Sequence, residues 1–324
     1  MGRLSYADVA QKPAEVLALT SLTVEEFQAL VEPFETAFQA YMATWTLEGK
    51  PRQNRRYTPY ATSPLPTAED RLLFILSYLK QNPTQVYHGQ LFALPQNKVN
   101  QWVHTLFPVL RATLQATGDA PSRSQTALAE RLGTVLLPAH ASDDGPPLPD
   151  ATPPLFVTTP PSAPSPRPTD PTEQTLHYSG KAKDHTLKNT LLIDSRLQVL
   201  FLSATFEGRV HDKRVADYSA YPLPEGSHLL QDLGFLAFQL EGVSMQEPVK
   251  KPRGGQLTPE QKAHNQALSK RRVRIEHVNS SVKRCRMVKD AIRLWRGVIR
   301  DLVVEVACGL HNFRLRLFPW QPLT

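Results

Sequence analysis

Two carboxylates in this chain are placed where they could share a cation. Asp232 follows the short apolar run His228 to Gln231, which predicts a buried strand, and Glu276 lies on a predicted helix further along. An acid at a strand end and another on a packed helix can converge over the sheet edge. Their oxygens suit Mg²⁺ or Mn²⁺, and two such ions about 3.5–4 Å apart stabilise the attacking and leaving oxygens in phosphodiester cleavage. Acids at strand ends are common, so the pair alone is a weak signal.

Glu276 lies in the basic segment Lys270 to Lys289, which predicts one helix. An apolar stripe recurs along it at steps of three and four: Ile275, Val278, Val282 and Cys285. Glu276, Asn279 and Lys283 are off that stripe, and the spacing of Glu276 and Lys283 puts them about 10 Å apart on one face. Cations surround them: Arg271, Arg272, Arg274, Arg284, Arg286 and Lys289. The segment is either a solvated basic face with one compensating salt bridge, or an acid that binds metal while its neighbours hold polyphosphate.

Composition limits the classes of function. The chain has 324 residues, enough for two domains, and its formal net charge of +7 favours an anionic partner such as nucleic acid. No apolar run approaches the roughly 18 residues of a membrane span, and the N-terminal residues lack a signal core, so we expect a cytoplasmic protein. Cys285 and Cys308 lack metal-ligand spacing and are predicted to be reduced core thiols.

The N-terminal part is helical. A capping box at Thr23 and Glu26 predicts a helix start, and a short helix after Thr84 is followed by a turn at Leu94-Pro95 and a further helix. The apolar spacing of that further helix predicts the residues that face inward: Val99, Trp102, Val103, Leu106 and Leu110. That second helix opens with polar residues whose donors and acceptors suit base edges: Gln96, Asn97, Lys98, Asn100 and Gln101. The pattern fits a helix-turn-helix that reads the major groove, and it fits a structural helical hairpin equally well.

A Pro-rich stretch from Pro138 to Pro171 separates this part from the rest. We predict a helical DNA-binding domain at 1–137, a linker at 138–154 and a second domain at 155–324. After the linker the periodicity becomes that of strands, and the expected order is an α/β or α+β domain. The predicted elements are a possible strand Leu155 to Thr159, strands His185 to Asp194, Arg196 to Gly208 and His228 to Gln231, a helix His211 to Tyr221, and a last helix Ala291 to Leu310.

Several segments together resemble the DDE-type transposases of bacterial insertion sequences. They occur in the family's order: Leu176 to Asn189, His211 to Tyr218, Leu223 to Phe238 and Arg271 to Arg284, with the N-terminal SLTVEEFQAL and LPQNKVNQWVHTLFPVL. The resemblance covers most of the chain. It implies an N-terminal all-α helix-turn-helix domain followed by a ribonuclease-H-like mixed-sheet domain.

The resemblance also implies an activity and its site. Asp232 and Glu276 correspond to the second and third metal-binding acids, which would hold Mg²⁺ or Mn²⁺, as two ions. The protein would bind the terminal inverted repeats of its element and a target DNA, as a homodimer, and would cleave and join DNA strands. Lys283 would contact DNA near the reacting end, and we expect Arg284 to contact phosphates. Lys181, Lys183 and Lys188 are either backbone contacts or solvated lysines.

The chain departs from the family at the first acid. That acid follows the first strand of the catalytic domain, some eight residues before an Arg-Pro, and here the matching position is Thr159. A hydroxyl is a poor substitute for a charged metal ligand. Either Asp150 or Asp170 takes its place, or the protein is a catalytically impaired or repurposed transposase that acts as a DNA-binding protein.

Overall fold

The computed structural model describes residues 3–53, 57–58, 63–134, 153–219, 221–235, 237–294 and 298–323. The chain forms two compact units. Unit 1 consists of Met1–Ala120 and Ser281–Leu317, and unit 2 of Pro121–Ser280 and Phe318–Thr324.

Unit 1 is helical. Its helices are α1 (Tyr6–Val9), α2 (Pro13–Thr20), α3 (Val24–Thr44), α4 (Ala68–Gln81), α5 (Gln85–Phe92), α6 (Gln96–Ala116), α11 (Arg286–Lys289) and α12 (Val298–Leu317). The capping box predicted for α3 is confirmed: the Thr23 side chain accepts from the Glu26 N–H, and the Glu26 carboxylate accepts from the Thr23 N–H. Phe27, Leu30 and Phe34 are fully buried, so the apolar stripe of α3 faces the core.

Helices α5 and α6 are joined by a tight turn. Ala93 has a left-handed backbone (φ 54°) that ends α5, and Pro95 precedes α6. A Cβ on Gly89 would lie 2.3 Å from the Leu94 carbonyl oxygen, so only glycine allows the turn to close this tightly. On α6 the predicted inward-facing residues are all buried: Val99, Trp102, Val103, Leu106 and Leu110. Gln96 and Asn97 are exposed at its start.

The C-terminal helix belongs to unit 1. Predicted from Ala291 to Leu310, it is found at Val298–Leu317. It packs on α6, where the Arg111 guanidinium lies 2.7 Å from the Glu305 carboxylate. Helix α7 (Gln125–Leu132), in contrast, belongs to unit 2. The predicted domain ranges 1–137, 138–154 and 155–324 stay predictions, and residues 135–152 lie outside the described part of the chain.

Unit 2 is a mixed α/β unit. After α7 its elements are β1 (Leu155–Thr159), β2 (Ser162–Pro164), α8 (Pro171–His177), β3 (Tyr178–Ser179), β4 (Asp184–Lys188), β5 (Leu191–Asp194), β6 (Val199–Leu202), β7 (Phe206–Glu207), α9 (Asp212–Ser219), β8 (His228–Leu230), a 3₁₀ turn (Leu233–Phe235), β9 (Ser244–Gln246) and α10 (Pro259–Val282). Helix α10 lies in this unit except for Ser281 and Val282.

The main sheet has five strands in the order β6-β5-β1-β8-β9. Strand β5 is antiparallel to β1 and β6, whereas β8 is parallel to both β1 and β9. β1 is the central strand, and its residues from Phe156 to Thr159 are buried. A second sheet joins β2, β4 and β3, with β7 beside β4. The predicted fold class, an all-α N-terminal region followed by a mixed sheet, is confirmed.

Two of the predicted strands are each split in two. The run from His185 to Asp194 forms β4 in one sheet and β5 in the other. Between them the Asn189 amide donates to the Thr205 hydroxyl, and the Thr190 N–H donates to the Ser203 hydroxyl. The run from Arg196 to Gly208 is split in the same way, into β6 and β7. The two halves of each run differ in burial, since β5 and β6 are almost entirely buried whereas β4 and β7 are largely half-buried.

The predicted helix from Lys270 to Lys289 is wrong at both ends. Helix α10 begins earlier, at Pro259, and ends at Val282. At its C-terminal end, the Arg284 N–H donates to the Ser281 carbonyl oxygen and the Cys285 N–H donates to the Val282 carbonyl oxygen. Cys285 then adopts an extended backbone before α11. Lys283 therefore follows the helix and is not two turns along the face of Glu276. The apolar stripe itself is buried as predicted.

Candidate functional site

The ends of β1 and β8 bring Thr159 and Asp232 to one edge of the main sheet. The two strands run parallel with Val157 beside Leu230, so their carboxyl ends lie at the same edge. Thr159 ends β1, and Asp232 comes two residues after Leu230. Extending the register by two residues puts Thr159 beside Asp232.

Helix α10 contacts both positions. The Arg272 guanidinium donates to the Asp232 carboxylate at 2.9 Å, and the Asn279 amide donates to the Thr159 hydroxyl at 3.0 Å. Arg272, Glu276 and Asn279 are four and three residues apart, so they lie along one face of the helix. Glu276 lies between the two contacts on that face, and its side chain is exposed. The structure thus brings Thr159, Asp232 and the Glu276 face of α10 to one edge of the sheet.

Asp232 is the charged side of this arrangement. One of its oxygens accepts from the Leu233 N–H at 2.6 Å, and the other is paired with Arg272. Both side chains of the pair are about one-third exposed (37% and 33%), so solvent screens the attraction. A cation that binds Asp232 must compete with this guanidinium.

Thr159 and Asn279 form the neutral side. Each is 8% exposed. Within the described residues the Asn279 carbonyl oxygen makes no hydrogen bond, so a buried oxygen acceptor is left over beside the Thr159 hydroxyl. Asn279 was predicted to lie off the apolar stripe, and it is off the stripe yet buried, because it faces the sheet edge.

The oxygen atoms at this edge are suitable ligands for a hard divalent cation, but together they carry little negative charge. Asp232 and Glu276 offer carboxylate oxygens, Thr159 a hydroxyl and Asn279 an amide oxygen, all hard ligands of the kind Mg²⁺ and Mn²⁺ prefer. Across the described residues, no three His, Cys, Asp or Glu side chains form a group that could hold a metal ion. The residues present therefore fit such an ion with one carboxylate fewer than the three-acid pattern.

Of the two predicted replacements for the first acid, the structure describes only Asp170. The Asp170 carboxylate caps α8, where it accepts from the Thr172 and Glu173 N–H groups at 2.9 Å each. Asp150 lies outside the described residues.

The predicted DNA-contacting residues belong to unit 1. Gln96, Asn97, Lys98 and Asn100 open α6, and the Lys98 ammonium donates to Gln101 at 3.0 Å. Lys283 and Arg284 form the turn after α10. The pKa of Arg284 is lowered, first by partial burial and then by the neighbouring Arg314. These assignments stay predictions.

Sequence reasoning missed three residues that hold this edge of the sheet. Arg272 and Asn279 were seen only as neighbours of Glu276, although their spacing from it, one helical turn to either side, is a signal that could have selected them. Asp212 was also missed. It forms a mostly buried ion pair with Lys188 at 2.9 Å, and its carboxylate packs against Gly234, where a Cβ would lie 2.6 Å from it.

Comparison with known proteins finds matches to part of the chain. Residues 162–312 match the family described as DDE superfamily endonuclease. The matched residues begin after Thr159, so the position of the first acid lies outside them. Enzymes of this superfamily generally use divalent metal ions.

The chain is also similar to the probable transposase for insertion sequence element IS702 of Microchaete diplosiphon. The two are 31% identical over 144 residues, which is 44% of this chain and 52% of the relative. The chain thus spans about half the length of the curated relative it matches. Together the two matches confirm the resemblance to DDE-type insertion-sequence transposases. No solved structure matches this chain. No helix in the described ranges has both the length and the apolar character to cross a membrane.

Proposed function

We propose that this protein is the transposase of a bacterial insertion sequence. It binds the ends of its element, and it catalyses metal-dependent DNA strand cleavage and transfer. The observation that carries the proposal is the meeting of Thr159, Asp232 and the Glu276 face of α10 at one sheet edge, fixed by the two contacts of 2.9 and 3.0 Å. Carboxylates that converge at one edge can bind the divalent ions that assist phosphodiester chemistry.

Asp232 and Glu276 would hold the Mg²⁺ or Mn²⁺ ions, as two ions in the active form. When bound, the ions supply activation of a water and then of a DNA 3′-hydroxyl for attack on a phosphodiester. The protein's own residues orient these acids. The Leu233 N–H orients one oxygen of the Asp232 carboxylate, and Arg272 occupies the other until a cation displaces it. The Asn279–Thr159 hydrogen bond fixes α10 against the end of β1.

A cleavage assay tests the proposal. The substrate is an end-labelled duplex taken from the DNA that flanks the coding sequence, incubated with Mg²⁺ or Mn²⁺. We expect strand cleavage that produces a 3′-hydroxyl and that is lost in Glu276→Gln, which keeps the shape of the side chain and removes its charge. Cleavage that persists in Glu276→Gln would assign the activity to another site or to a contaminant.

DNA recognition is assigned to the start of α6. Gln96, Asn97, Lys98 and Asn100 would reach base edges in the major groove, and Lys283 and Arg284 would contact phosphates. The protein would act in the cytoplasm as a homodimer on the two element ends. Replacing Asn97, Lys98 and Asn100 by alanine should relax sequence preference, whereas Gln90→Ala, an exposed change on α5, should not. Replacing Lys283 or Arg284 should weaken binding to all sequences alike.

A second function is favoured by one observation. Thr159 cannot supply a charge, and its hydroxyl is already engaged by Asn279. A protein with this substitution could bind element ends without cutting them, as a DNA-binding regulator. Sequence-specific binding with no cleavage in either Mg²⁺ or Mn²⁺ is the result that selects this second function.

A further inference from the structure

A cleft in unit 2 opens next to the candidate catalytic edge. Its volume is about 620 Å³, and its walls include Pro160, which directly follows Thr159, and Gly234, two residues after Asp232. A ligand that fills the cleft therefore lies beside both strand ends. Clefts of several hundred Å³ hold ligands of drug size, a class to which one or two nucleotides belong and a DNA duplex does not.

The cleft carries excess positive charge. Lys181, Lys188 and Arg209 line it, against a single acid, Asp212. Lys188 and Asp212 neutralise each other through their 2.9 Å ion pair. Lys181 and Arg209 are exposed, and neither makes an ion pair within the described residues. Two cations are thus left for an anionic ligand.

An exposed aromatic ring also lines the cleft. Tyr178 lines the cleft with 46% of its surface exposed. Its ring packs edge-on against His185, with the ring centres 5.8 Å apart, which steadies it. A groove with free cations beside an exposed aromatic ring is the combination that binds single-stranded nucleic acid, through phosphate contacts and base stacking.

We propose that this cleft binds one or two unpaired nucleotides of the DNA strand at the catalytic edge. Lys181 and Arg209 contact the phosphates, and Tyr178 stacks on a base. The Lys188–Asp212 ion pair also lines the cleft, and the Asp212 carboxylate lies against Gly234. The cleft is therefore continuous with the turn that carries Asp232. The inference rests on the proposed function, because it takes DNA as the ligand. It adds that the DNA strand is unpaired where it enters the cleft.

The test compares DNA ends in a fluorescence anisotropy titration of the full chain. The probes are a blunt duplex, the same duplex with a short 3′ single-stranded tail, and the tail alone as an oligonucleotide. We expect the tailed duplex to bind about tenfold more tightly than the blunt one. Lys181→Gln with Arg209→Gln should abolish that difference. The double variant should also reduce the salt dependence of oligonucleotide binding, by about 0.7 in log–log slope for each phosphate that is no longer neutralised.

Three further variants make the result specific. Lys181→Gln and Lys183→Gln each remove one positive charge from the same β3–β4 turn, but Lys183 does not line the cleft. The preference for the tail should therefore fall in Lys181→Gln and remain in Lys183→Gln. Tyr178→Ala should lower oligonucleotide affinity about tenfold and leave the salt slope unchanged, because stacking is not ionic. Circular dichroism melting of each variant distinguishes weaker binding by a folded protein from unfolding.

Equal binding of tailed and blunt duplexes by the unmodified protein would overturn the inference, as would equal losses of tail preference in Lys183→Gln and in Lys181→Gln. These failures are distinct from failure of the proposed function. Sequence-specific binding and cleavage of blunt ends without any effect of the tail would refute only the proposed role of the cleft. Tail binding without any sequence preference or cleavage would remove the transposase assignment alone.

Discussion

The two contacts of α10 with the sheet edge differ in kind. At Asp232 the contact is ionic, partly exposed and open to competition from other cations. At Thr159 it is neutral, buried and made by one hydrogen bond. The first can exchange its partner for a metal ion, whereas the second serves to hold the helix in place. In the proposed metal site, one of the two strand ends therefore carries no charge.

The largest effect should come from the carboxylate between the two contacts. Glu276→Gln removes one of two negative charges near the edge, and we expect a loss of cleavage of at least about a hundredfold. Mn²⁺ binding, measured by electron paramagnetic resonance, should weaken in parallel. Glu260→Gln, on the exposed first turn of the same helix, is the matched control and should change neither quantity.

Restoring charge at the neutral contact should have the next largest effect. Thr159→Asp adds a carboxylate where the Asn279 amide can donate to it, and divalent affinity rises with the number of charged oxygen ligands. We expect Mn²⁺ affinity to rise by about tenfold or more and cleavage to increase. Thr159→Asn, with the same shape and no charge, should do neither. An equal gain in Thr159→Asn would show that shape and not charge limits the site.

Removing the competing cation should have a smaller effect. Arg272→Gln frees the Asp232 carboxylate, so Mn²⁺ affinity should rise roughly threefold to tenfold, and more at low ionic strength. Stability should change by less than about 1 kcal/mol because the pair is partly exposed. Arg272→Lys, which keeps the charge, should bind Mn²⁺ like the unmodified protein. Unchanged affinity in Arg272→Gln would mean that the ion pair does not limit metal access.

The Asn279–Thr159 contact should contribute more to folding stability than to metal affinity. Asn279→Ala leaves the buried Thr159 hydroxyl without its donor and should cost about 1–2 kcal/mol in the free energy of unfolding, measured in urea. Mn²⁺ affinity should fall by less than about threefold if the amide oxygen is not a ligand. A larger fall in affinity, with stability unchanged, would instead make Asn279 a metal ligand.

Local sequence signals account for the helices of unit 1 and for the central strands. The capping box at Thr23, the stripe on α6 and the apolar run before Asp232 each depend on a few adjacent residues, and each is found as predicted. The position of Asp232 at a strand end follows directly from such a run.

The predictions fail where contacts between residues distant in the sequence determine the structure. Nothing local to the segment 185–194 shows that Asn189 and Thr190 bond to the distant residues Thr205 and Ser203 and so divide the run between two sheets. The Lys270 to Lys289 stripe is buried throughout, so hydrophobic pattern alone does not reveal the break after Val282. The spacing of Arg272 and Asn279 from Glu276 indicates a shared helix face. Their partners, Asp232 and Thr159, depend on the register of β1 and β8, which that spacing does not reveal.

Thr159 and Glu276 must face the same ion if this sheet edge is the catalytic site. A double-mutant cycle on Mn²⁺ affinity tests this, using the unmodified protein, Thr159→Asp, Glu276→Gln and the combination. We predict that Thr159→Asp raises Mn²⁺ affinity by about tenfold or more when Glu276 is present, and by much less when Glu276 is replaced by glutamine, because the two carboxylates share the ion. An equal gain in both backgrounds, or no gain in either, would contradict a shared site.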